Sequence, residues 1–168
     1  MPDQYGTIEE IVVAVRVRLI EEIEDATMST VRISDDPNTK LAMPSDDRWF
    51  IVSPSAQTMY DQEAIDGGGM FQTSARTRII VTVHFVSAVD EPDDITEWFA
   101  NESRSINRSK KDVIKALHTW VPVREDGSAI TNDPLILAET SWYKTRGEGA
   151  IQIAFDIEFD EDFDLDDI

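Results

Sequence analysis

Between Ala150 and Phe159 the chain alternates without a break. Ile151, Ile153, Phe155, Ile157 and Phe159 fall on one side, and Gln152, Ala154, Asp156 and Glu158 on the other. A two-residue period of this length is the pattern of a β-strand with one buried face, and a one-residue slip would turn every large apolar side chain into water. The chain is therefore committed to a sheet with one apolar face. The same strand runs on through Asp160 into an acidic end, so that residues 156 to 168 hold eight carboxylates and no basic residue. Taken as unpaired, these groups repel one another and contribute nothing to folding, so their role is to be sought in what they face.

A second alternation, Ile79, Val81, Val83 and Phe85 against Arg78, Thr82 and His84, predicts a strand over Arg76 to Val86, closed by Asp90-Glu-Pro-Asp-Asp94. Trp49 to Val52 reads as a short buried strand ended by Ser53-Pro54, and Leu135 to Lys144 as a third long strand. Arg146-Gly-Glu-Gly149 then serves as a hairpin turn into the last strand. Thr7-Ile-Glu-Glu10 fits a capping box, followed by Ile8, Ile11, Val12, Val15, Leu19 and Ile23 at helical spacing. Val13 to Leu19 also alternates as a strand would, but the four-turn stripe and the cap favour helix. Ser109-Lys-Lys-Asp112 offers a second cap ahead of Val113, Ile114, Leu117, Trp120 and Val121, a helix that Pro122 stops.

These elements predict an α+β domain in the order α-β-β-α-β-β, an antiparallel sheet of about four strands with both helices packed on its apolar face. Its 168 residues suffice for one domain. The polar stretch about residues 55–76 is expected to project as an arm, with Gly67, Gly68, Gly69, Met70 and Phe71 near its end. Residues 160–168 form an acidic C-terminal extension. Residues 34 to 48 read as loop.

Composition excludes several functions. With 34 acidic and 15 basic residues, net −19, the chain is ill suited to gripping phosphates. It has no cysteine, so neither a disulfide framework nor a thiolate site is possible. No run nears 18 apolar residues and the N-terminus lacks a signal-peptide pattern, so a soluble, non-exported protein is expected. His84 and His118 lie on different elements without metal-binding spacing, and each reads as a half-exposed structural residue. The glycine triplet lacks the Lys-Ser/Thr of a phosphate loop, and the Asp160-x-Asp162-x-Asp164-x-Asp166 ladder lacks the glycine and terminal glutamate of a calcium loop. No nucleophile elbow is present, so no enzyme, metal or cofactor is expected. The one basic patch is Arg104, Arg108, Lys110, Lys111 and Lys115. Set against the acidic surface, it allows copies to meet head to tail and close into a ring.

The layout resembles that of the tail-terminator proteins of long-tailed bacteriophages. The likeness runs from the N-terminal helix through Trp49-Phe-Ile-Val-x-Pro54, the Gly-rich loop, the Arg76 to Val86 strand, the Asp112-Val-Ile-x-Ala-Leu-His-x-Trp120 helix with Pro122, and Phe155-Asp-Ile-Glu-Phe-Asp160. That resemblance implies a small α+β domain, six copies of which form a ring on the tail tube and present a surface to the head connector while genomic DNA passes through the centre. It implies a virion protein of the tail or neck, assembled in the host cytoplasm, with tail tube protein and connector or stopper as partners and no membrane. Other neck or minor tail ring proteins, such as head-completion stoppers, share acidic ends and Gly-rich arms. A monomeric acidic DNA-mimic decoy is the alternative of another class, disfavoured by the basic patch. On the ring reading, Asp156, Glu158, Asp160, Asp162 and Asp164 line the lumen, the basic helix lies at the ring interface, and the Gly67–Phe71 arm meets tube or neck.

Overall fold

The computed structural model describes residues 7–37, 48–60, 70–86, 95–145 and 148–164. Its elements are α1 (Thr7–Glu22), β1 (Val31–Ile33), β2 (Arg48–Tyr60), β3 (Met70–Val86), α2 (Ile95–Leu117), β4 (Ile136–Thr145) and β5 (Glu148–Asp164). The strands form one five-stranded sheet in the order β1-β2-β3-β5-β4. The expected four-stranded antiparallel sheet in the order α-β-β-α-β-β is therefore corrected on two counts. The order is α-β-β-β-α-β-β, and the sheet is mixed, because β1 runs parallel to β2 with Val31 beside Phe50 and Ile33 beside Val52. A strand of three residues is too short to show a period, so β1 leaves no signal in the sequence.

One face of the sheet carries the core that the alternation implies. Ile151, Ile153, Phe155, Ile157 and Phe159 of β5 are buried with Val81, Val83 and Ile79 of β3 and Phe50 and Val52 of β2. Ile11, Val12, Val15 and Leu19 of α1 and Val113, Ala116 and Leu117 of α2 close over them. Phe85 packs so tightly on its cross-strand partner Gly149 that a Cβ there would lie 2.3 Å from the ring. Gly149 is thus a strand residue required for close approach and not part of the turn; Arg146 and Gly147 lie outside the described residues.

The opposite face is not uniformly wet. Thr82 and His84, expected on the solvent side, are fully buried together with Trp49 and Ile51, and the Trp49 and His84 rings stack at 5.3 Å. The chain leaving β1 passes over this face, where Thr82 Oγ1 donates to the Pro37 carbonyl. His84 is thus a buried residue, not a half-exposed one; His118 is exposed, and its Nδ1 accepts from the Leu137 N–H.

Both central strands outrun the expectation. β2 does not end at Ser53-Pro54 but continues to Tyr60, with a register shift between Pro54 and Thr58. Proline is tolerated there because, among the described residues, β1 covers only Phe50 to Val52 and leaves that side of β2 a sheet edge with no ladder bond for the missing N–H to make. Of the arm expected over 55–76, residues 55–60 and 70–76 are strand, and Gly67, Gly68 and Gly69 lie outside the described residues. Met70 and Phe71 open β3. β5 likewise absorbs residues 160–164 of the acidic extension.

Helix α2 starts at Ile95, not at the Ser109 cap. Ser109 is buried in mid-helix and accepts from Arg48, whose side chain is only 4% exposed. Arg48 also grips both oxygens of Asp25 at 2.7 Å, donates to Asp112 and lies over the Phe50 ring. This one side chain ties the turn after α1, the start of β2 and the middle of α2. The buried cation is matched by two carboxylates, without which it could not leave water.

Candidate assembly surface

β3 and β5 pair over seventeen residues each, from Val86 beside Glu148 to Met70 beside Asp164. At about 3.3 Å per residue this ladder is roughly 55 Å long, against roughly 24 Å for α1. β4 joins only as far as Asp156, and the β2 pairing ends at Tyr60 beside Ala75. Among the described residues the sheet therefore narrows from five strands to four, three and then two, making a distal blade.

The outer face of this blade holds the predicted acidic residues, and the register sorts them. Arg78 Nε donates to Asp156 at 3.0 Å and its Nη1 to Glu139 at 3.1 Å; Arg76 Nη2 donates to Glu158 at 2.6 Å. The hydrogen bond to Asp156, followed by the charges of Asp156 and Glu139, holds Arg78 above its ordinary pKa despite some burial. The expectation of eight unpaired carboxylates is thus corrected: Asp156 and Glu158 are matched by arginines from the neighbouring strand. Glu161, on the other face, is bonded to Tyr60, whose phenol is pushed up by burial and then by that carboxylate. Towards the tip the partners become neutral. Asp160 stands opposite Ser74, Asp162 opposite Gln72 and Asp164 opposite Met70. Asp160 is exposed, and of Asp162 and Asp164 only the register position is described.

The basic patch lies on α2. Arg108, Lys111 and Lys115 share one side of the helix by spacing, Arg104 lies one turn ahead of Arg108, and Lys110 falls on another side. Arg108 is 4.0 Å from both Asp25 and Asp112, so it borders the Arg48 cluster, while Lys111 and Lys115 are exposed. α1 packs on β1 and β2, and α2 packs on β5 and its neighbours. The two ends of the sheet are therefore overlaid by opposite charge. Residues 7–25 carry six carboxylates and two arginines, and residues 105–117 carry four basic groups and one carboxylate.

Sequence reasoning missed a groove of about 740 Å³ between α1 and residues 120–130, lined by Val13, Val17, Trp120, Val123 and Ile130. Arg18 lies over the Trp120 ring, and Arg124 ties to Glu10 at 2.7 Å across the groove. The signal was present. Val13 and Val17 are the residues that gave α1 its competing strand-like alternation, and both are exposed. Among the described residues no cluster of metal-binding side chains occurs, and no helix is long and apolar enough to cross a membrane.

Comparisons with known proteins add little. No protein-family model matches the chain, and no curated protein matches it. Among the solved structures that match, one whose name describes no activity does so with 14% identity and a TM-score of 0.36 over 89% of this chain and 94% of its own. A likeness at that level carries no argument about fold or function.

Proposed function

We propose that this chain is a structural ring protein of the tail-terminator type, built into the tail or neck of a long-tailed phage virion. Six copies would cap the tail tube and join it to the head connector or stopper, with DNA passing through. The observation that carries the reading is the opposite charge over the two ends of the sheet. A protomer at −19 should repel its copies everywhere except where α2 of one approaches α1 of the next, and such a heterologous contact closes into a ring when the rotation permits. The outer face of the blade then lines the lumen. With Asp156 and Glu158 neutralised by Arg78 and Arg76, the sign of that wall is set by Asp160, Asp162 and Asp164. A wall of that sign leaves duplex DNA its own counterions, whereas a basic one would hold it.

Size-exclusion chromatography with light scattering over a range of concentrations tests the reading. A particle of about six chains is expected; a particle of one or two chains at every concentration would favour a monomeric acidic decoy. A structure of the ring should place Asp160 near the central axis, and finding it on the outer rim would remove the conduit while leaving the ring.

A further inference from the structure

We infer that Trp142 of one copy docks into the groove between α1 and residues 120–130 of the next. The inference rests on the ring reading and names the contact that joins its protomers. The groove, of about 740 Å³, has an apolar floor in which Val13, Val17 and Val123 are exposed. That volume holds a drug-sized molecule and is ample for one indole, whose burial there would also take the three valines out of water. The rim is acidic. Arg18 and Arg124 are matched by Glu22 and Glu10, and Glu21 and Glu125 stand exposed beside them. The side chain that suits this groove is therefore large, apolar and set among cations.

Among the described residues Trp142 meets that requirement. It is 56% exposed, and it shares a row with Val31, Phe50, Val83 and Ile151, which puts it on the helix-bearing face at the outer edge of the sheet. α2 turns Ser109 and Asp112 to Arg48 of β2 and its Ala116 carbonyl to Arg18 of α1. By helical spacing the opposite flank, with Lys110 and Ile114, lies towards β4, and Lys111 and Lys115 are exposed above it. The other exposed large apolar side chains outside the groove keep acidic company. Met28 and Ile33 belong to the sheet edge that the acidic α1 covers, Met59 adjoins Tyr60, which is bonded to Glu161, and Ile136 shares a hollow with Asp133, Asp156 and Glu158. In a chain at −19, Trp142 is thus the apolar anchor that can enter an acidic groove without bringing like charge to it. A copy cannot fill its own groove. Residues 120–130 are tied to the strand at Leu135, whose N–H bonds the Trp120 carbonyl, and Trp142 lies seven residues further on, roughly 20 Å along β4. Each copy therefore gives one indole and accepts another, a heterologous contact of the kind that closes into a ring.

Photocrosslinking tests the contact directly. A benzophenone amino acid in place of Trp142 keeps an aromatic group there, and light joins it to what it touches. In the assembled particle it should give covalent dimers and larger products on a denaturing gel, with the far end of the link mapping to residues 10–21 or 120–130 of the neighbour. Two substitutions at exposed positions, read by light scattering, test the energetics. Trp142→Ala removes the anchor. Val17→Lys sets a cation in the groove against the basic flank of the incoming copy; because it also lowers the net negative charge, general repulsion falls and a loss of assembly is traced to the groove. Each should weaken assembly at least about 30-fold at an unchanged urea midpoint, and Val13→Lys replaces Val17→Lys should that midpoint fall. A multi-chain particle that gives no link between copies, links elsewhere on the neighbour, or survives either substitution overturns the docking and leaves the ring reading standing. Single chains at every concentration for the unsubstituted protein remove both.

Discussion

The two halves of the sheet are held by different physics. In the proximal half, five strands are covered by both helices on one face, and on the other Trp49, Ile51, Thr82 and His84 are buried as well. In the distal half the sheet narrows, among the described residues, to three strands and then two, and its outer face is held by exposed arginine-carboxylate pairs up to Glu158, beyond which the residues opposite the carboxylates are neutral. Burial in the first half is worth kcal/mol per side chain, whereas an exposed ion pair is worth a fraction of one. Stability should therefore reside proximally, and the distal blade is left free to carry charge that serves something other than folding.

The largest expected effect is in the proximal core. Phe155 is fully buried among residues of both helices and three strands, and Phe155→Ala should cost about 3–5 kcal/mol in urea denaturation, the sum of lost transfer energy and the cavity left behind. A cost below about 1 kcal/mol would mean that stability is not concentrated where the packing places it.

Next comes Arg48→Ala, at roughly 3 kcal/mol, the lower end of the range for breaking a buried pair because Asp25 and Asp112 keep some access to water. Its pH dependence has a definite sign. The Arg48 hydrogen bond, followed by opposing desolvation and then the Arg48 charge, holds Asp25 below its ordinary 3.8. The stabilisation is therefore complete above that value and is lost as pH falls through the lower folded value. The gap between wild type and Arg48→Ala should narrow from neutral pH down to about pH 2. A constant gap would show that Arg48 acts by packing on Phe50 alone.

These two sites differ in how far they could be read beforehand. Phe155 was legible because five alternating large residues admit one placement. The Arg48 cluster was not, because its members are 23 and 64 residues apart and a serine ahead of an apolar run looks the same whether it caps a helix or lies within one. The first half of α2 was missed because residues 101–109 are polar apart from Ile106, and this run separates Ile95, Trp98 and Phe99 at its start from the apolar stripe that begins at Val113. The burial of Thr82 and His84 was hidden for another reason: a polar residue in an alternating strand signals solvent only if nothing crosses that face, and here the chain after β1 does. At the candidate surface the acidic row was visible in the sequence. The pairing of Asp156 and Glu158 was not, since the arginines that match them come from a strand 78 and 82 residues away.

A smaller effect, of opposite sign, asks whether the proximal half is fully relaxed. Thr119 follows α2 with a φ of 65°, where a β-branched residue is strained, and its N–H bonds the Leu135 carbonyl just ahead of β4. Thr119→Gly removes strain of about 1–2 kcal/mol and adds chain entropy of about 0.5–1 kcal/mol to the unfolded state, so a net gain of about 0.5–1 kcal/mol in thermal or urea denaturation is expected. A loss would show that the threonine side chain contributes more than its backbone costs.

The smallest effect is expected in the blade, at Arg76. Its partner Glu158 and the arginine itself are both largely exposed, so Arg76→Ala should change stability by less than about 1 kcal/mol, and less still at high salt. The substitution nevertheless removes the last arginine opposite the outward carboxylates of β5, so that Glu158 loses its cation next to Asp160, Asp162 and Asp164, whose register partners are neutral. A double-mutant cycle with Glu158→Ala isolates the pair: a coupling energy of about 0.2–1 kcal/mol that fades with salt fits an exposed bridge on a charge-bearing surface. A coupling above about 2 kcal/mol that persists in high salt would mean the distal pair is desolvated like the Arg48 cluster, and the two halves of the sheet would then be held by the same physics after all.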